Sequence, residues 1–211
     1  FLLPRADEYQ SEYLPRSSQR LAWLTGFDGS AGFAIVLAGC AAIFTDGRYT
    51  LQIRDQVNEK YFEIFNTAEM LPLEWLKTNL VQNERIGFDP WLHTCDEVTK
   101  INSVLASKNA TAIKLPKNLI DEIWIDRPPV PLAPIIPHPE IYSGEAFTSK
   151  FGAINAAMIE NDEDVLVFSS PESIAWLLNI RGADVARTPL PLSFLIVKKD
   201  GHAQLFVDQR K

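Results

Sequence analysis

Cysteine is almost missing from this chain: Cys40 and Cys95 stand far apart in 211 residues. A disulfide framework needs more cysteines and a structural zinc site needs clustered ligands, so both are excluded and reduced thiols are expected. Histidine is as sparse. His93, His138 and His202 lie in unrelated contexts, and none belongs to an HExxH or comparable ligand cluster. No apolar run approaches the about 20 residues that span a bilayer. Basic residues are neither in excess nor clustered: 20 Lys and Arg face 27 Asp and Glu, and the net charge of -7 leaves no groove for nucleic acid. Nucleophile-elbow, Walker and dinucleotide-binding glycine signatures are absent too, and Gly29-Ser30-Ala31-Gly32 only imitates the first without its spacing. The acidic run Glu160 to Asp164 lacks calcium-loop spacing and reads as a solvated turn.

What is present is apolar material for a real core: 46% hydrophobic residues, with five Trp and twelve Phe. Between Thr25 and Tyr49, three glycines (Gly26, Gly29, Gly32) precede two short apolar runs, Phe33 to Leu37 and Ala41 to Thr45. Runs of that length bounded by glycine predict two buried strands joined by a tight turn, and the glycine cluster marks backbone that turns or approaches something closely. A helix from Tyr49 to Val57, a strand from Tyr61 to Phe65 and a helix from Pro72 to Val81 follow. Arg85 to Phe88 reads as a strand, and Thr94-Cys95-Asp96-Glu97 as a capping box opening a helix through Val98, Ile101 and Leu105. Ala112 to Leu115 reads as a further strand. Such alternation points to an α/β domain over residues 1–126 with a mostly parallel sheet.

Residues 127–146 form a connector. Arg127 to Pro139 carries six of the fourteen prolines, a density that withholds backbone donors and favours extended geometry. Val130, Leu132, Ile135 and Ile136 argue for a segment packed along a surface. Residues 147–211 predict a helix from Phe147 to Met158 with Phe147, Phe151, Ile154 and Met158 on its apolar face. A strand from Val165 to Phe168 and a helix capped by Ser170 before Pro171 come next. Ser193 to Val197 and Ala203 to Val207 then predict a hairpin turning at Asp200-Gly201. Gly182 is the expected left-handed stop of the preceding helix. A sheet this small leaves an unpaired edge, so a carboxy-terminal truncation is expected; the strand-like start at Phe1-Leu2-Leu3 without a methionine suggests that residues upstream are missing as well.

Four blocks, in order, carry a family resemblance. Gln10-Ser11-Glu12-Tyr13 precedes Gly26-Phe27-Asp28-Gly29-Ser30-Ala31-Gly32; Thr45-Asp46-Gly47-Arg48-Tyr49 follows. Asn118-Leu119-Ile120-Asp121 comes with Trp124 and Asp126-Arg127-Pro128, and the last block is Ile174 to Val185. Together they resemble the amino-terminal region of the cytosolic, three-domain Xaa-Pro aminopeptidases (aminopeptidase P), relatives of creatinase and prolidase. The resemblance implies two creatinase-like α/β domains, each a mixed, mostly parallel sheet flanked by helices, the second one truncated. It implies a parent hydrolase, cytoplasmic and homodimeric, that removes the residue before an amino-terminal proline. Its two divalent metals, manganese in the family, would sit in a third domain beyond these residues. No cofactor or metal is then expected here, and the partners are peptides with proline second, the chain's own catalytic domain and a second subunit.

Arg48 is the foremost candidate site residue, a guanidinium fork where a strand ends and a helix begins; the resemblance implies that it reaches toward bound peptide. The alternative is that it pairs with Asp46, Glu12 or Asp28 and only stiffens the loop. Glu12 is the candidate carboxylate behind it. Tyr49 and Tyr13 either wall the cleft or pack into the core. Arg181 is a further candidate, either in a polar knot with Asn179 and Asp184 or salt-bridged to Asp184. Two rival readings remain: a parent with prolidase or creatinase chemistry, and a metal-free relative that serves as a protein-binding module.

Overall fold

Leu2 and Leu3 are both fully buried, and they lie at the middle of a six-stranded sheet. They belong to a computed structural model that describes residues 1–211 as two units, one of residues 1–8 and 16–128, the other of 9–15 and 129–211.

The first unit runs β1 (Leu2–Pro4), α1 (Arg20–Thr25), β2 (Phe33–Val36), β3 (Ala41–Thr45), α2 (Thr50–Gln56), β4 (Glu63–Asn66), α3 (Pro72–Asn79), β5 (Arg85–Phe88), α4 (Cys95–Ala106), β6 (Thr111–Lys114) and α5 (Leu119–Ile123). The strand order is β4-β3-β2-β1-β5-β6. Pairs β3–β4, β1–β5 and β5–β6 are parallel, while β1–β2 and β2–β3 are antiparallel, the latter being the hairpin expected from its apolar runs. Helices cross between the parallel neighbours, as a parallel pair requires. Side chains alternate across the sheet. Leu2, Ile35, Phe44 and Phe88 meet Trp75, Leu76, Ile101 and Leu105 on one face; Leu3, Ala34 and Ile43 meet Leu21, Phe27, Ile53 and Ile120 on the other.

Thr94 opens α4 through a complete capping box: the Thr94 N–H donates to Glu97 Oε2 (2.8 Å) and the Glu97 N–H to Thr94 Oγ1 (3.2 Å). Two helices carry too short an apolar pattern to be read from sequence. α1 and α5 are instead held by charge. Arg20 places Nε on Asp121 Oδ1 (2.6 Å) and Nη2 on Oδ2 (3.0 Å), and Arg127 joins the same carboxylate (2.7 Å). Arg20 is nearly buried, so loss of Asp121 would strand its charge. Trp23 and Trp124 stack beside this cluster with ring centroids 5.6 Å apart.

The second unit runs β7 (Ile136–Pro137), α6 (Glu140–Ser143), α7 (Phe147–Glu160), β8 (Val165–Phe168), α8 (Pro171–Leu178), β9 (Ile180–Arg181), β10 (Phe194–Lys198) and β11 (Ala203–Phe206). The Pro-rich stretch contributes β7, which pairs with β9. The main sheet is β11-β10-β8 and is antiparallel throughout, not mostly parallel as the sequence suggests for this part. After α8, residues 182–193 carry the chain back along the sheet, so β10 starts beside Phe168, where β8 ends. Met158 fills the core with Ile174, Leu177, Leu195 and Val197, whereas Phe147, expected on the same helix face, is half exposed at the first turn of α7.

Asn179, not Gly182, stops α8: Asn179 adopts the left-handed conformation (φ 49°). Gly182 answers a different demand, because a Cβ there would lie 2.8 Å from the Pro191 nitrogen. The buried Lys150 satisfies this helix end, donating to the Trp176 carbonyl (2.9 Å) and Asn179 Oδ1 (2.7 Å) with its ammonium 4.4 Å from the Trp176 ring centroid. Residues 9–15 also belong to this unit. Tyr9 stacks on Phe194 at 4.6 Å and packs with Ala175, Val185, Leu190 and Leu192.

His93, in the first unit, is buried between the edges of Phe88 and Phe33. Neither ring nitrogen has a well-formed hydrogen bond, and the Leu2 backbone only weakly favours the charged form. Desolvation lowers its pKa below the ordinary 6.5, and the opposing fields of Glu97 and Asp89 are weaker. The unfolded chain therefore takes up a proton at higher pH than the folded one. The His93 contribution to the unfolding free energy should be flat above neutrality and fall as pH drops through 6.5, with a slope no steeper than about 1.4 kcal/mol per pH unit. Urea unfolding at several pH values should show that component disappear in His93→Phe; an unchanged profile would mean that His93 ionises freely when folded.

Candidate functional site

The site grows from the end of β3, where Asp46 precedes Gly47. Asp46 Oδ1 accepts the Arg48 backbone N–H (3.0 Å) and so caps a single 3-10 turn, Gly47–Tyr49, ahead of α2. The same carboxylate receives the Arg48 side chain: Nε lies 3.0 Å from Oδ1 and Nη2 lies 2.7 Å from Oδ2. This two-pronged contact holds the Asp46 carboxyl below its usual range. Arg48 remains outward, its side chain 62% exposed, with its guanidinium carbon 5.2 Å from the Tyr49 ring centroid. The expected helix start at Tyr49 is thus a tighter turn, and that turn aims the guanidinium.

The glycine-rich loop before β2 is fastened to this turn. Phe27 is 1% exposed, and its ring meets Tyr49 edge-on at 5.7 Å. Gly29 lies against the Phe27 ring so closely that a Cβ would overlap it. The Ser30 and Tyr49 hydroxyls are 2.6 Å apart, a bond that favours the phenolate and lowers the Tyr49 pKa. Thr45 Oγ1 donates to the Ala31 carbonyl (2.7 Å), while Gln52 and Gln56 donate to Asp28 Oδ1 (2.7 and 2.8 Å). Contacts spanning fourteen to twenty-eight residues of chain therefore join the two blocks into one surface, whose outward functional group is the Arg48 guanidinium. The Ser30–Tyr49 and Asp28–Gln52–Gln56 links were not anticipated, since no local pattern reports pairing across that distance.

The candidates divide between the units. Arg48 and Tyr49 stand together in the first, with Asp46 as a carboxylate for Arg48. Glu12 and Tyr13 belong to the segment 9–15 of the second unit, where Tyr13 is exposed. Arg181 is there too, and the polar knot expected around it does not form. Its Nη1 donates to the carbonyls of Ile180 (2.8 Å) and Ala175 (3.3 Å), while Asp184 Oδ2 accepts from the Leu192 N–H (2.7 Å) and Lys211 Nζ (2.5 Å). Asn179 is occupied by Lys150 and by the Glu145 carbonyl. No three His, Cys, Asp or Glu side chains converge, so these residues do not fit a dinuclear metal centre.

Gly29→Ala tests the loop. The added methyl has to displace a buried ring, and a loss of about 1–3 kcal/mol is expected in chemical unfolding. A loss below about 0.5 kcal/mol, the range of neutral surface changes, would mean that the loop shifts freely off Phe27.

The creatinase/prolidase N-terminal domain matches twice, over residues 12–123 and 126–211. Aminopeptidase P2 of Arabidopsis thaliana is 37% identical over all of this chain, which spans 30% of that protein; aminopeptidase P1 of Lotus japonicus is 33% identical, with 32% spanned. A crystal structure of X-prolyl aminopeptidase from Caenorhabditis elegans, described as a cytosolic enzyme with a di-nuclear active site, superposes with a TM-score of 0.94 at 31% identity. It too is covered over only 34% of its length by the whole of this chain. The chain spans about a third of the relatives it matches. With both matches carrying the same description and together covering nearly every residue, the chain belongs to the creatinase/prolidase N-terminal domain family.

Proposed function

We propose that this chain is the amino-terminal, non-catalytic region of a Xaa-Pro aminopeptidase, capping the cleft in which the whole protein removes the residue before an amino-terminal proline. The observation that carries the reading is Arg48: outward, oriented by Asp46 and set on a loop that Phe27 and Tyr49 make rigid. A guanidinium fixed this way donates to a peptide carbonyl or a terminal carboxylate without first having to be ordered. Likeness along the whole chain to aminopeptidases P supports the reaction class. Proline in the second position of a substrate lacks an amide hydrogen and has a fixed φ, so a narrow cleft selects it by shape and by offering no acceptor for an N–H.

The hydrolytic water and its two divalent metals, manganese by our reading, belong to the remainder of the protein. Tyr49 braces Arg48, Glu12 and Arg181 are further candidates for contact with the substrate, the protein pairs as a homodimer, and it works in the cytoplasm. The reduced Cys40 and Cys95 are compatible with that compartment.

Hydrolysis of an Xaa-Pro-Pro tripeptide with added manganese should occur with the full-length protein and not with this chain alone; cleavage by this chain would refute its non-catalytic assignment. In the full-length protein, Arg48→Ala should lower kcat/KM by roughly 10- to 150-fold, corresponding to about 1.5–3 kcal/mol, with an unchanged melting temperature. Wild-type rates in that variant would remove Arg48 from substrate binding.

A further inference from the structure

Asp46 does more to Arg48 than orient it. It engages two nitrogens of the guanidinium, Nε at 3.0 Å from Oδ1 and Nη2 at 2.7 Å from Oδ2, while the Arg48 side chain stays 62% exposed. What meets a ligand here is a compensated pair and not a lone cation. We propose that Asp46 is a specificity-determining residue: its charge shifts the preference of Arg48 away from a carboxylate and toward a neutral peptide carbonyl, so that peptides continuing past Arg48 gain over peptides ending there. This rests on the proposed contact between Arg48 and substrate, and adds which substrate group that contact takes.

A lone arginine prefers a carboxylate to a carbonyl, because opposite charges attract and two parallel charge-assisted bonds can form. With Asp46 in place that preference has an opponent. A ligand carboxylate brought to the guanidinium also comes close to a like charge, and the repulsion subtracts from the attraction. A backbone carbonyl carries no net charge, so it accepts its hydrogen bond without that repulsion. The two fields already oppose each other at a neighbouring group. The Tyr49 hydroxyl is biased toward the phenolate chiefly by its bond to Ser30, and there Arg48 favours the charged form while Asp46 disfavours it. The turn itself does not require the charge. Asp46 Oδ1 accepts the Arg48 N–H, and an asparagine or serine oxygen would cap as well.

The test uses the full-length protein with Xaa-Pro, Xaa-Pro-Pro and Xaa-Pro-Pro-Ala peptides, each as the free acid and as the carboxy-terminal amide. Asp46→Asn removes the charge and keeps the capping oxygen. At the length whose end meets Arg48, the ratio of kcat/KM for acid over amide should rise by about two- to fivefold relative to wild type, the range of one exposed ion pair. If the asparagine variant fails to fold, Asp46→Ser carries the same expectation. A ratio that stays at the wild-type value for every length, including a loss shared equally by acid and amide, overturns the proposal and leaves Asp46 as a cap and an orienting group. Arg48→Ala separates this outcome from failure of the underlying reading. Wild-type rates for every peptide in that variant would remove Arg48 from substrate binding and this proposal with it, whereas lowered rates beside an unchanged Asp46→Asn ratio would overturn only the role of the Asp46 charge.

Discussion

The first unit is organised by a demand placed on one short strand. β1 has three residues, yet it pairs antiparallel to β2 on one side and parallel to β5 on the other, so its backbone joins the two halves of the sheet. Leu2 enters the face covered by α3 and α4, and Leu3 enters the face carrying Phe27, α1, α2 and α5. Two adjacent side chains thus feed both apolar layers. A register slip of one residue would exchange them and place each leucine against the wrong helices. The hairpin that delivers Thr45 and Asp46 to the candidate site depends on that register, because β2 pairs directly with β1.

On this scaffold the site is assembled by different means at different ranges. The Asp46–Arg48 contact is local and needs only the turn that Gly47 begins. The loop from Gly26 to Gly32 is secured at long range, through an aromatic edge contact, a pair of hydroxyls and two glutamines from α2 that meet on Asp28. The guanidinium then faces outward with its orientation set before any ligand arrives. That arrangement presents oriented donors at the surface of the loop.

Much of this was legible in the sequence, for identifiable reasons. The capping box at Thr94, the hairpin strands, the serine cap before Pro171 and Met158 in the core are determined within a few residues of chain, and periodicity or side-chain chemistry reports them directly. α1 and α5 escaped because six and five residues are too few to show a helical period, and their stability comes from Arg20, Asp121 and the stacked tryptophans. Gly182 was read as a helix stop because glycine tolerates that conformation, but its real constraint is the Pro191 backbone pressing against it. The antiparallel course of β10 was hidden in an irregular return, which has no period to read. Arg48 was legible as a candidate; of the carboxylates the sequence offered it, Asp46 is one that engages it, because a turn of two residues brings the pair together.

Residues 9–15 carry a consequence for modularity. They are flanked on both sides by chain of the first unit, yet Tyr9 helps build the second unit's core against Phe194, Val185 and Leu190. The polypeptide therefore passes from one unit to the other three times, and no single cut yields two complete pieces. A fragment beginning after Pro128 would lack an aromatic ring from its own interior, and one ending there would carry a stretch with nothing to pack on. The two units are separate in contacts, yet their residues interleave along the chain.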